Sequence, residues 1–137
     1  MADFHEFTLE EARATLPHVR ELVVDLREAW ETHELLSREI HAHLGGRRFE
    51  ALPAEEQGAI AHHLPALSRL KERIRDRVAE LEEIGCVLKG PGEGLVDYFA
   101  RVDGRPVWLC WRLGEEDITH YHDFEEGFAG RRRIDFE

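Results

Sequence analysis

The sequence predicts an α+β fold in which a long helical hairpin is followed by a small antiparallel β-meander packed on it. Three observations support this prediction: apolar residues at helical spacing over 8–84, a change to period two from residue 85, and an Asp103-Gly104 turn dipeptide between two strand patterns. A chain of 137 residues has room for one modest core. We therefore expect a single domain, 1–137, with the hairpin at 8–84 and the β-meander and C-terminal tail at 85–137.

The first arm of the hairpin begins with a capping box. The Thr8 hydroxyl and the Glu11 carboxylate are spaced to satisfy backbone NH groups that a helix start leaves unpaired. Because Pro17 has no NH to donate, we expect a short first helix and a restart of the long helix at Pro17. Apolar positions alternating three and four apart form a heptad seam, which predicts a long helical partner. The seam consists of Leu9, Ala12, Leu16, Val19, Val23, Leu26, Trp30, His33, Ser37, Ile40 and Leu44.

The second arm follows the stretch GGRRFEALP at 45–53, which combines a glycine break with a proline at a helix start. Pro65 is expected to divide this arm into a weaker piece, 54–63, and a stronger helix that ends at Gly85. At 1.5 Å per residue the first arm would be about 40 to 55 Å long, so two arms alone would leave apolar surface at the far end. We therefore expect a homodimer formed through the hairpin. The stronger helix carries Leu67, Leu70, Ile74, Val78, Leu81 and Ile84.

Four candidate strands follow, with the sequences CVLKG, GLVDYFARV, RPVWLCWRL and ITHYH. Asp103-Gly104 lies between the second and third, and both positions of such a tight hairpin turn require positive φ. Since one face of the sheet is less apolar than a core requires, we expect the sheet to pack on the helices with Asp97 or Arg112 at its polar edge. In the third strand Val107, Leu109 and Trp111 share one face, and Trp108, Cys110 and Arg112 share the other.

The composition excludes several function classes. Lys and Arg total 18 against 29 Asp and Glu, and the resulting net charge of −11 opposes binding to nucleic acid or to anionic membranes. No stretch approaches the roughly 18 apolar residues of a membrane span, and no export signal is recognised, so a cytoplasmic protein is expected. Cys86 and Cys110 are then expected to be reduced, buried thiols that behave as small apolar residues.

Three ordered blocks of sequence carry a resemblance to a known family. FTLEEARATLP, LKGPGEGLVDYFARVDGRPVWLCWRLGE and HYHDFEEGFAGR resemble the bacterial domain-of-unknown-function family numbered 2203. The resemblance covers nearly the whole chain and implies a small cytoplasmic protein with a helical N-terminal part, but no established activity. His120-Tyr121 departs from the aromatic pair expected before the motif histidine, so a metal site that needed His120 would not be a family property. The resemblance places Gly94, Asp97, Cys110, Trp111, Arg112, His122, Gly127, Phe128, Gly130 and Arg131 on motif positions.

The C-terminal stretch DITHYHDFEEGFAGRRR is the best candidate for a site. A histidine beside a carboxylate provides a general acid or base, and two arginines form a clamp for a phosphate or carboxylate. In a purely structural alternative, the same carboxylates pair with the arginines and hold the tail on the sheet. The candidate catalytic residues are His122, Asp97 and Glu126, and the candidate ligand-binding residues are Arg112, Arg131 and Trp111.

The same stretch is also a candidate divalent metal site. His120 and His122 are two apart and point the same way in a strand, so both rings can reach one ion. The chain has none of the H-E-x-x-H, C-x-x-C or E-x-x-H patterns of common metal centres.

Three function classes follow: an interaction protein, a small-ligand or metal-binding protein, and an enzyme that uses His122 with Asp97 or Glu126. We favour a dimeric, non-enzymatic module with an anion or metal site near the C-terminal sheet. Its expected partners are a second copy, another protein or a small anionic ligand.

Overall fold

The computed structural model describes residues 4–136, which form two long helices followed by a five-stranded antiparallel sheet. The predicted α+β architecture, with its N-terminal helical hairpin, is confirmed. Helix α1 spans Leu9–Leu44 and α2 spans Ala54–Ile84, and a 3-10 turn at Phe49–Ala51 lies between them. The strands follow in the order β1 to β5 across the sheet: Val87–Gly90, Leu95–Val102, Arg105–Arg112, His120–Asp123 and Arg132–Arg133.

The ends of α1 are set by local side-chain and backbone chemistry. The Thr8 hydroxyl accepts a hydrogen bond from the Glu11 NH at 3.0 Å, and the Glu11 carboxylate accepts one from the Thr8 NH at 2.8 Å. At the other end Gly45 adopts the left-handed conformation, with φ 54°, and its NH donates to the His41 carbonyl. The predicted capping box is therefore present.

Both long helices pass through a proline, so the predicted restart at Pro17 and the predicted division at Pro65 are wrong. Each proline lies on an exposed side of its helix, where the loss of one backbone hydrogen bond is least costly. Leu16 and Val19, on either side of Pro17, are buried in the core. Their burial offsets the roughly 3 kcal/mol that a proline costs inside a helix.

The hydrophobic core lies between the hairpin and one face of the sheet. The α1 seam is buried from Ala12 to Leu26, whereas from Trp30 onward its positions are only half-buried, because the sheet covers only the first part of the helix. Across this interface the Thr15 and Tyr98 hydroxyls lie 2.9 Å apart. Neither helix in the described part of the chain has an apolar stretch long enough to cross a membrane. The sheet contributes Val96, Tyr98, Ala100, Val107, Leu109, Trp111 and Tyr121 to the core.

The β2–β3 hairpin turns at Asp103 and Gly104, whose φ angles of 53° and 79° match the predicted turn. The turn sets the register in which Asp97 pairs directly with Cys110. Arg112 is exposed at the end of β3, but Asp97 is buried on an interior strand, which is not the polar edge expected for it. The short strand β5 was not predicted.

Candidate functional site

Polar side chains are buried on the face of the sheet that points away from the helices. Asp97 on β2 and Cys110 on β3 are cross-strand partners, and His122 on β4 pairs with Trp108 on β3. Asp97 and His122 are 3% and 2% exposed, and Cys110 is equally inaccessible. Because buried ionisable groups are costly unless they are partnered, their hydrogen bonds determine what this cluster can do.

His122 is held by hydrogen bonds at both ring nitrogens. Its Nδ1 lies 2.9 Å from the Asp123 carbonyl oxygen, and its Nε2 lies 2.9 Å from Asp97 Oδ2. A carbonyl oxygen only accepts, so Nδ1 carries a proton and donates it. The contact between Nε2 and the carboxylate then requires one further proton, on either side. One proton therefore lies between the facing atoms of Asp97 and His122.

Burial controls the ionisation of the two acidic members. It raises the pKa of Asp97, and the neighbouring His122 opposes that rise. Burial also raises the pKa of the Cys110 thiol to about 12, and the Asp97 carboxylate adds to the effect. A thiol with such a pKa is protonated near neutral pH and is not a nucleophile by itself. Cys110 becomes a thiolate only if a cation replaces its proton.

Arg131 borders the cluster but is already engaged. Its guanidinium donates to both oxygens of Glu115, at 3.1 and 2.8 Å, and it stacks on the Phe128 ring at 4.2 Å. Burial raises the pKa of Glu115, but the hydrogen bonds from Arg131 and from the Arg112 NH, together with the charge of Arg131, outweigh burial, and the pKa of that carboxyl is lowered. Arg112 is exposed, with its guanidinium 5.6 Å from the Phe128 ring. The two predicted clamp arginines are thus near one aromatic ring, but Arg131 is neutralised.

Of the other predicted site residues, Glu126 and Trp111 lie apart from the cluster, whereas His120 borders it as the cross-strand partner of Cys110. Glu126 is exposed and accepts hydrogen bonds from the Asp123 NH and from Arg132, so Asp97 is the carboxylate that contacts His122. Trp111 lies on the opposite face of the sheet, fully buried in the core. His120 Nδ1 is 2.9 Å from the Thr119 hydroxyl, and burial together with nearby Arg131 lowers the His120 pKa.

Within the described residues, Asp97, Cys110 and His122 form a group with metal-ligand chemistry. Their carboxylate oxygen, sulfur and ring nitrogen all lie within 4.8 Å of one another. The histidine was predicted, but Cys110 was interpreted as a small apolar residue. The signal that identifies it is the Asp103-Gly104 turn, because a two-residue turn there pairs position 97 with position 110.

The raised pKa of Asp97 predicts a pH-dependent stability. The unfolded chain loses this proton near pH 3.9, whereas the folded chain keeps it to higher pH. The stability that Asp97 contributes is therefore complete below about pH 3.9 and is lost as the pH rises through the folded pKa. With a chelator present, we expect the free energy of unfolding of the wild type to fall relative to that of Asp97→Asn, by up to about 1.4 kcal/mol per pH unit. Urea unfolding from pH 4 upward measures this difference, and a constant difference would contradict the shift.

Comparison with known proteins places the chain in a family. A family model described as "Uncharacterized conserved protein (DUF2203)" matches residues 5–134, which is nearly the full length of the chain. No curated protein and no solved structure matches the sequence. With helices, sheet and polar cluster all inside the matched range, the chain belongs to the uncharacterized conserved family DUF2203.

Proposed function

We propose that this protein is a metal-binding module that holds a thiophilic divalent cation of the Zn²⁺ class. The ligands are the Asp97 carboxylate, the Cys110 thiolate and His122 Nε2. One observation carries the proposal: these three ligand atoms come from three strands and lie within 4.8 Å of one another on a buried face. Oxygen, sulfur and imidazole nitrogen together are a donor set that Zn²⁺ accepts in proteins.

The ligand spacing supports a tetrahedral ion. With bonds of 2.0 to 2.3 Å, ligand atoms around Zn²⁺ lie roughly 3.3 to 3.6 Å apart. To bind such an ion, the distance of 2.9 Å between His122 Nε2 and Asp97 Oδ2 has to increase slightly. Ligand atoms near the upper limit of 4.8 Å have to move closer together. Both are adjustments of side-chain torsions. The hydrogen bond from His122 Nδ1 to the Asp123 carbonyl already fixes the tautomer that presents a lone pair at Nε2.

Charge balance also favours a divalent cation. Without metal, the Cys110 thiol is neutral and the Asp97–His122 pair, with one shared proton, is neutral overall. With metal, one thiolate and one carboxylate offset the two positive charges, while Arg131 and Glu115 neutralise each other alongside. Binding releases two protons, one from the thiol and one from the pair. Metal affinity is therefore expected to rise with pH.

The alternatives fit this geometry less well. An anionic ligand would have to displace Glu115 from Arg131, which Glu115 holds through two hydrogen bonds. An acid–base enzyme would need substrate access to His122 Nε2, which Asp97 occupies. The side chains of His122 and Asp97 are only 3% and 4% exposed, which suits a bare ion better than an organic substrate.

The test is Co²⁺ titration of chain purified without a metal-affinity tag, because Co²⁺ bound to a thiolate gives a charge-transfer absorption that the free ion lacks. We expect one Co²⁺ per chain, displaced by Zn²⁺, and stabilisation of about 2.7 kcal/mol when free Zn²⁺ is 100 times its Kd. Cys110→Ser should abolish the absorption band and weaken binding by at least tenfold.

The matched control is Cys86→Ser, which removes the other buried free thiol. Cys86 lies outside the ligand group, with its sulfur directed to the Leu81 carbonyl at 3.4 Å. Its replacement should leave the absorption band unchanged. If the band is absent in the wild type, or if it survives in Cys110→Ser, the proposal is overturned.

A further inference from the structure

The second half of α1 projects beyond the sheet. The last fully buried residue of α1 is Ala29, and the segment from Trp30 to Leu44 contains only half-buried and exposed positions. Fifteen residues at 1.5 Å each extend about 22 Å. The half-buried positions of this segment recur every three to four residues, so α1 meets α2 on one side, where Glu39 Oε2 lies 3.7 Å from His63 Nε2. The opposite side of the helix therefore has no protein layer over it in the described chain.

That opposite side carries exposed apolar residues. Leu35 lies two residues from both His33 and Ser37 on the seam, so it points about 200° around the helix from each of them. It is 63% exposed, and Val24, eleven residues earlier on the same side, is 43% exposed. Beside Leu35 is a shallow groove of about 380 Å³, which is lined by Trp30, Glu31, Glu34, Leu35 and Arg38. A helix of a partner can place a side chain in this groove.

The order of charges along this face of α1 is complementary to that of an antiparallel α1 helix from a second copy. Glu31 and Glu34 precede Leu35, and Arg38 follows it. Within the chain Glu31 forms an exposed ion pair with Arg27 at 3.1 Å, whereas no described residue forms an ion pair with Arg38. If two α1 helices cross antiparallel near Leu35, Arg38 of each chain lies against Glu31 of the other. A two-fold axis makes both contacts at once, as an isologous interface requires.

We propose that a second copy of this chain packs antiparallel against the outward face of α1, centred on Leu35. The antiparallel arrangement also keeps the two sheets apart, because each sheet covers α1 only up to Ala29 and so lies at the opposite end of the paired helices. Nucleic acid does not suit this face, since the chain has a net charge of −11 and the groove is lined by two glutamates. The inference is independent of the proposed metal site.

Sedimentation equilibrium of the full chain tests the interface. The wild type should sediment as a species of roughly 32 kDa, twice the 15.9 kDa chain mass, at micromolar concentration. Leu35→Glu should raise the dimer dissociation constant at least tenfold, because it buries a carboxylate beside its symmetry mate. Leu35 is exposed in the single chain, so the circular dichroism of the variant should be unchanged.

The matched control is Leu64→Glu on α2, where the leucine is 47% exposed. It should leave the dimer intact. Arg38→Glu alone should weaken the dimer, and adding Glu31→Arg in the same chain should restore it, since the two charges are then exchanged on both copies. A monomeric wild type, dissociation by Leu64→Glu but not by Leu35→Glu, or a failure of the charge exchange to restore the dimer would each overturn the proposal.

Discussion

Replacing His122 by alanine is expected to cost about 3 to 5 kcal/mol of folding stability in the metal-free protein, because it leaves the Asp97 carboxyl buried without its partner. The cavity left by the imidazole ring adds to the loss of stability. Urea denaturation near pH 7 with a chelator present measures the effect as a lower midpoint with an unchanged slope.

Two controls separate the loss of the pair from a general effect of removing a histidine. His120→Ala, two residues away on β4, removes a half-buried ring that contacts the Thr119 hydroxyl and should cost less than about 1 kcal/mol. The double variant Asp97→Ala with His122→Ala should be destabilised by clearly less than the sum of the two single variants, because no orphaned partner remains. Additive costs would mean that the two side chains do not interact in solution.

The second large effect is expected at Trp111. This side chain is fully buried between the sheet and the helices, and its Nε1 donates to the Glu115 carbonyl at 3.0 Å. Trp111→Ala should destabilise the fold by about 3 to 5 kcal/mol, the usual cost of removing a large buried aromatic side chain. For a domain of this size that lowers the Tm by roughly 10 °C or more, which calorimetry detects.

Trp111→Phe distinguishes a core role from the ligand-binding role expected from sequence. The phenyl ring keeps most of the buried area and loses the hydrogen bond to Glu115, which is worth about 1 kcal/mol. Because Trp111 lies on the face opposite to Cys110, Co²⁺ affinity per folded chain should not change. A large loss of metal affinity in Trp111→Phe would instead mean that the loop carrying Glu115 controls the site.

The metal proposal and the stability predictions lead to opposite pH trends that can be measured on one protein. Without metal, the buried Asp97 proton makes the fold lose stability, relative to Asp97→Asn, as the pH rises. With Zn²⁺ present, the release of two protons makes the stabilisation by metal grow with pH. If stability relative to Asp97→Asn falls with pH in the presence of a chelator, and stabilisation by Zn²⁺ grows with pH, then the buried Asp97 proton and the metal site belong to the same cluster.

Part of the candidate site follows from local sequence. The Asp103-Gly104 turn sets the β2–β3 register, and with it the pairing of Asp97 with Cys110. The position of His122 does not follow in this way. It depends on a connection at 113–119, which is fixed to the rest of the fold by the core packing of Ile118 and by a hydrogen bond from Arg13 on α1 to the Ile118 carbonyl. The sequence therefore predicts Asp97 and Glu126 as alternative carboxylate partners of His122, and the β3–β4 register distinguishes between them.

The sequence by itself determined the features that depend on a few neighbouring residues: the capping box at Thr8, the glycine end of α1 at Gly45, and the hairpin turn. These follow from local dihedral preferences and short-range hydrogen bonds. The tertiary structure alone decided that the helices continue through Pro17 and Pro65, and that Asp97, Cys110 and His122 meet. Burial against distant residues outweighs a local penalty of a few kcal/mol, and only the packed fold shows where that burial occurs.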